Sequence, residues 1–168
     1  MITSEKSNNH EMAYEDYVNG QIIFYGSYLL TADEIIEYGK QWDPLPFHIN
    51  EDAAAESAHG GLIASGAHLI AIRIKLIQQS GINPYVIATM GWDNVRFKLP
   101  GRPNDRITLT SKCLKKRQSK SRPNCGIVTM YFEMTNADNN LVMSLNDTIL
   151  IRTRENSKLI QTKRRNNK

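Results

Sequence analysis

The apolar positions divide the chain into a strand, a set of helices and a run of further strands. "QIIFYGSYLL", Gln21 to Leu30, is rich in Ile, Tyr and Phe and reads as a strand. In "TADEIIEYGKQW", which follows, Thr31 and Glu34 fit a capping box, while Ile35, Ile36 and Tyr38 supply apolar faces. A short helix is expected there. Pro44 and Pro46 forbid its continuation and bias the residues before them toward extended backbone. "NEDAAAESA" is a second short helical piece, broken by Gly60 and Gly61.

The clearest helix is "SGAHLIAIRIKLIQQSG", Ser65 to Gly81. Ser65 is a good N-cap and Gly81 a good stop. Ala67, Leu69, Ile70, Ile72, Ile74, Leu76 and Ile77 make it apolar on most sides, and such a helix belongs inside something. In a chain of this size the wrapping is a sheet. Four strands are available for it: "VIATMGWDNVRFKLP", "RITLTSKCLKKRQ", "CGIVTMYFEMTNA" and "NLVMSLNDTILIRTR". The turn signals "LPGRPND", "SKSRPN" and "ADNN" separate them, and successive strands with short turns predict an antiparallel sheet. The expected fold class is α+β: one domain over 15–154, a curved antiparallel sheet wrapped around a long central helix. Residues 1–14 form a polar N-terminal segment, and 155–168 a basic tail expected to be disordered. No internal repeat is visible.

Composition narrows the class. Of 168 residues, 40% are hydrophobic and 23% charged, which is globular and excludes wholesale disorder. No apolar run reaches the roughly 20 residues of a membrane span. The first twenty residues are polar and acidic, so no secretory signal is expected. Cys113 and Cys125 are too few for a disulfide framework or a zinc ribbon, and fit buried or idle thiols in a reducing cytosol. The net charge of +4 hides an asymmetry: residues 1–95 carry 4 Lys/Arg against 12 Asp/Glu, and 96–168 carry 17 against 5. That split fits a phosphate-bearing partner and equally a solvated basic face.

The candidate chemistry lies in "DPLPFHINEDAAAESAHGGLIASG". Asp43 and His48 stand five residues apart with two prolines between them. This string resembles the hydratase motif of the MaoC-like acyl dehydratases, the (R)-specific enoyl-CoA hydratases of hotdog fold. In that family an Asp-x-x-Pro-x-His segment precedes an Ala-rich turn, and a glycine follows near the start of the central helix. Here Asp43, Pro46 and His48 fill the motif without a gap, and Gly66 falls at the expected distance. "GWDNVRFKLPGRPNDRITL" is similar to the family's later pattern, and the resemblance covers roughly residues 15–154. Three positions depart from it: Leu45 replaces the commonest Asn, Ser65 stands where His is frequent, and Ile74 aligns with a substrate-holding serine. These departures bear on the substrate more than on the reaction class.

The resemblance implies reversible addition of water to a trans-2-enoyl-CoA. Asp43 and His48 would share the acid/base duty, since imidazole titrates near ~6.5 and works in either direction at neutral pH. Either group can remove the water proton. The prolines limit slack, which matters because a displacement of about 1 Å can cost ~100-fold in rate. The Gly66 N–H, just past the N-cap, would hold the thioester oxyanion. Pro46, Ser65, His68 and Arg102 are candidate substrate contacts, although His68 fits a polar core site equally well. His59 is expected at a pocket edge. Trp42 and Trp92 are expected as core aromatics, and Asp93 at a strand bend. The basic hairpin Lys112 to Arg122 could hold CoA phosphates or simply be solvated. No metal or cofactor is implied beyond the coenzyme A thioester as substrate, with acyl-carrier protein as the other possible carrier. A homodimer or a multiple of it is expected, with no nucleic-acid or membrane partner. A hotdog thioesterase and a non-catalytic acyl-CoA or nucleic-acid binding protein are the alternatives; no recognition-helix or aromatic-basic RNA motif favours the last.

Overall fold

Ser65 and Gly81 delimit the long helix as their residue types dictate. The Ser65 hydroxyl accepts the His68 backbone N–H, and Gly81 closes the helix at φ 67°, a left-handed conformation. The structure, a computed structural model, describes residues 11–83 and 85–155. Most of the expected N-terminal segment (1–10) and nearly all of the expected basic tail (156–168) lie outside the described residues. The elements are β1 (Ile22–Leu29), α1 (Ala32–Trp42), α2 (Pro46–Ile49), α3 (Glu51–Glu56), α4 (Gly66–Ser80), β2 (Val86–Phe97), β3 (Arg106–Gln118), β4 (Cys125–Thr135) and β5 (Leu141–Arg152). Met12 and Ala13, ahead of the expected domain start at residue 15, are buried, and the Met12 amide donates to the Ile82 carbonyl.

The five strands form one antiparallel sheet in the order β1-β3-β4-β5-β2. With α4 against it, this is the curved α+β sheet of the hotdog arrangement. Period-2 alternation sets the core. Val128, Met130, Phe132 and Met134 of β4 are buried together with Ile107 and Leu109 of β3, Leu145, Ile149 and Ile151 of β5, and Leu69, Ile72 and Leu76 of α4. Cys113 and Cys125 are buried and unbridged.

Three expectations are corrected. β2 and β3 are not neighbours: β2 pairs β5 at one edge, and β3 pairs β1 near the other. The residues between them do not close a hairpin because they are drawn into other contacts. Gly101 accepts from the Ala64 amide, and Leu30 exchanges backbone hydrogen bonds with Asn104 and Asp105. Nor is α4 wrapped all round. Ile74 is 41% exposed, and Ala67 is exposed on the same side. The buried stripe instead includes Arg73, whose guanidinium donates to the buried Asp147 of β5 and lies 3.9 Å from the Phe132 ring centroid. The aromatic expectation fails similarly, since Trp42 is 66% exposed and Trp92 40%.

α1 is seated on α2 and α4 by two close contacts. A Cβ added to the buried Gly39 would stand 2.8 Å from the His48 carbonyl oxygen and 2.9 Å from Ile49 Cγ2. Helix propensity favours alanine at such a site by about 1 kcal/mol, so glycine is there for the approach. On the other side the Tyr38 ring stacks on His68, centroids 4.4 Å apart and planes 5° from parallel. Burial holds the His68 imidazole below its ordinary pKa; the Glu34 charge opposes this and Lys75 adds to it.

Gly39→Ala is therefore expected to lose stability, by about 1–3 kcal/mol for overpacking against rigid backbone and despite the propensity gain. Urea denaturation measures it, and an unchanged or higher midpoint would contradict the packing argument. His68 predicts a pH dependence. The folded chain keeps the imidazole neutral, whereas the unfolded chain takes up a proton near ~6.5. Stability should fall as the pH drops through about 6.5 and level off below the folded pKa. His68→Phe keeps a ring against Tyr38 and should flatten the unfolding free energy between about pH 7 and 5; the same slope in both proteins would exclude His68 as its source.

Candidate active site

Asp43 and His48 reach each other across two short devices. α1 ends at Trp42, and Asp43 is its C-cap, with its amide donating to the Gly39 carbonyl at 2.9 Å. Pro44 and Pro46 follow; Pro46, exposed, takes the first position of α2, where its missing N–H costs nothing. That single turn presents His48 inward, only 5% exposed. His48 Nε2 lies 3.6 Å from Asp43 Oδ2, whose side chain is 36% exposed.

The other ring nitrogen fixes the tautomer. His48 Nδ1 is 2.7 Å from the Ile63 carbonyl oxygen. A carbonyl only accepts, so Nδ1 carries the hydrogen and the neutral ring keeps its lone pair on Nε2, toward Asp43. The separation of 3.6 Å is too long for a direct hydrogen bond. A small polar molecule such as water can meet both groups at once.

A cavity of about 460 Å³ opens beside His48; Asp43 is not among its lining residues. His48 and Gly66 both line it, with Phe47, His59, Leu69 and Phe97 among its walls. Gly66 is the first residue of α4, where backbone N–H groups have no intrahelical acceptor and the helix dipole is positive. The Phe97 ring lies directly against it: a Cβ at Gly66 would be 2.8 Å from Phe97 Cζ. The sequence therefore places Asp43, His48 and Gly66 together, and Ser65 beside them as the buried cap of α4. Arg102 stands at the margin, its guanidinium donating to the His59 carbonyl at 2.7 Å and its amide to Asp105.

His68 is elsewhere. It faces α1, lining a separate depression with Tyr28, Glu34, Tyr38 and Lys75. Position 68 lies two residues past Gly66, which turns its side chain about 200° around the helix. Nor does the basic hairpin line the cavity at His48, where Lys98 is the basic side chain in the wall. In that hairpin Lys116 instead donates to the Tyr14 and Glu15 carbonyls. Asp93 precedes a register shift in β2, next to Asn94 at φ 53°. Sequence reasoning missed the Ile63 carbonyl, Phe97 and Gly39. Only Gly39 left a signal, as a glycine interrupting an otherwise helical run. Among the described residues no group of three or more His, Cys, Asp or Glu is placed to hold a metal ion, and no helix is long and apolar enough to cross a membrane.

Comparisons with known proteins meet this geometry. Residues 17–134 match the family described as MaoC like domain. A MaoC-like dehydratase from Rhodospirillum rubrum superposes with a TM-score of 0.79 at 31% identity, covering 85% of this chain and 98% of that one. The protein MaoC of Klebsiella aerogenes is 30% identical over 72% of this chain, which spans 36% of the length of that protein. An unliganded (R)-hydratase from Pseudomonas aeruginosa shares the fold, with a TM-score of 0.72 at 20% identity over 85% of this chain and 87% of its own. The chain belongs to the MaoC-like domain family.

Proposed function

We propose that the chain is a hydro-lyase that reversibly adds water to a trans-2-enoyl thioester, giving the 3-hydroxyacyl thioester. One observation carries the reading: the Ile63 carbonyl holds His48 in the tautomer whose free lone pair faces Asp43, beside a cavity shared with Gly66. Water seated between Asp43 and His48 gives its proton to Nε2 as its oxygen attacks the β-carbon. Asp43 orients that water and stabilises the imidazolium that forms. Negative charge gathers on the thioester oxygen, where the Gly66 N–H meets it. The proton then returns at the α-carbon, so every atom of water ends in the product. The dehydratase and (R)-hydratase names among its relatives support the same class of reaction.

The carrier in this reading is coenzyme A or acyl-carrier protein, with Arg102 and Lys98 as cations near the cavity. We also propose that two copies pair. Among the described residues β1 and β2 are both free sheet edges, and free edges invite pairing.

Loss of enoyl-thioester absorbance with crotonyl-CoA and longer enoyl-CoAs tests the activity. Asp43→Asn and His48→Gln should each lower kcat/KM by about 100-fold or more while leaving the circular dichroism spectrum unchanged. Full activity in both variants would sink the assignment, and release of free CoA thiol would mark hydrolysis instead. Light scattering should give at least twice the mass of one chain; a single-chain mass would contradict pairing.

A further inference from the structure

The basic stretch Lys112 to Arg122 takes no part in the cavity at His48, and its place on the sheet gives it another use. Side chains directly opposite across a sheet share a face. Ile22 pairs with Lys112, and Lys112 with Tyr131; Phe24 pairs with Thr110, and Thr110 with Glu133. Both rows lie on the face away from the core, since the alternate residues Ile23, Tyr25, Leu109 and Ser111 are the buried ones. On that outer face Ile22 is 71% exposed and Phe24 61%. Leu114, also exposed, joins Ile22 in the walls of a groove of about 400 Å³, which Lys112, Tyr131 and Glu133 line as well.

Cations surround these apolar side chains. From 112 to 122 the chain carries six Lys or Arg and no Asp or Glu. Lys116 is held by the Tyr14 and Glu15 carbonyls. Lys112, Lys115, Arg117, Lys120 and Arg122 are exposed, and among the described residues none of the five forms an ion pair. Lys115 lies opposite Thr129 and Arg117 opposite Ile127, on the face that Tyr131 shares. Glu133 is the carboxylate in the groove, and it already accepts the Tyr131 hydroxyl.

A partner for this face has to offer negative charge and hydrocarbon together. A second copy would set cations against cations across a two-fold axis. An acidic protein would need a hollow shaped for each apolar side chain. A fluid anionic bilayer supplies phosphates to the cations and, just beneath them, hydrocarbon to Ile22, Phe24 and Leu114, with no matching shape required. Pairing along β2, at the opposite edge of the sheet, leaves the face open. The sequence expectation of no membrane partner concerns spanning segments, which this mode of contact does not use.

We propose that the outer face of β1 and β3 docks on the surface of an anionic lipid bilayer. Lys112, Lys115 and Arg117 meet the phosphates, and Ile22, Phe24 and Leu114 enter the acyl boundary.

Co-sedimentation of the purified full chain with phosphatidylcholine vesicles, with and without phosphatidylglycerol, tests the surface. The chain should pellet with the phosphatidylglycerol vesicles, stay in solution with phosphatidylcholine alone, and be released by high salt. Phe24→Ser should weaken binding by about tenfold or more, and so should the double change Lys112→Glu, Lys115→Glu. All three positions are exposed, so the circular dichroism spectrum should not change. Equal binding to both vesicles, no binding, binding indifferent to salt, or wild-type affinity in either variant would each overturn the proposal. A lower light-scattering mass in Phe24→Ser would assign the face to a second copy instead. Retention on immobilised polyglutamate without vesicle binding would assign it to an acidic protein. The assay involves no turnover, so its failure leaves the hydro-lyase reading untouched.

Discussion

Two adjacent peptide units ahead of α4 tie the site together. The Ile63 amide donates to the Phe47 carbonyl and its own carbonyl receives the His48 ring, while the Ala64 amide is held by Gly101. One short extended segment thus fixes the turn that carries the imidazole, the link after β2, and the approach to the Ser65 cap. With both sides of that segment engaged, the distance between His48 and the first amides of α4 has little freedom. Small displacements matter in such sites, and here the restraint comes from backbone hydrogen bonds, which do not depend on side-chain rotamers.

The rigidity continues outward through α1. Gly39 lets that helix touch the backbone of α2 directly, so Asp43 and His48 are spaced by two elements in contact as well as by the two prolines. The prolines alone were enough to suggest a braced connection. What they did not disclose is that Pro46 opens a helical turn whose inward face holds the histidine.

Legibility followed the range of the interactions. The caps of α4 and the meeting of Asp43 with His48 rest on residues within a few positions of one another, and residue type is enough to reveal them. The separation of β2 from β3 rests on what Gly101 and Leu30 contact across the fold, and "LPGRPND" looks the same whether it turns a hairpin or crosses to the other side of the sheet. His68 illustrates a finer limit: its place in the sequence was clear, but which side of the helix meets α1 depends on packing. Ile74 and Trp92 read as core from hydrophobicity, yet both are partly open to solvent, because a count of apolar residues does not say whether enough sheet exists to cover them.

The strand order also governs when the molecule can assemble. β2 emerges from the ribosome before β3, β4 and β5, yet its partner is β5, the last of the described strands. β1 must likewise wait for β3, with Ile22 opposite Lys112. Until those distant pairings close, α4 has little sheet to cover its apolar stripe. Pairings so remote in sequence are slow to form and leave a nascent chain prone to association. The segment that carries Asp43, His48 and Gly66 is synthesised early, whereas the sheet that backs α4 is complete only when β5 pairs with both β4 and β2.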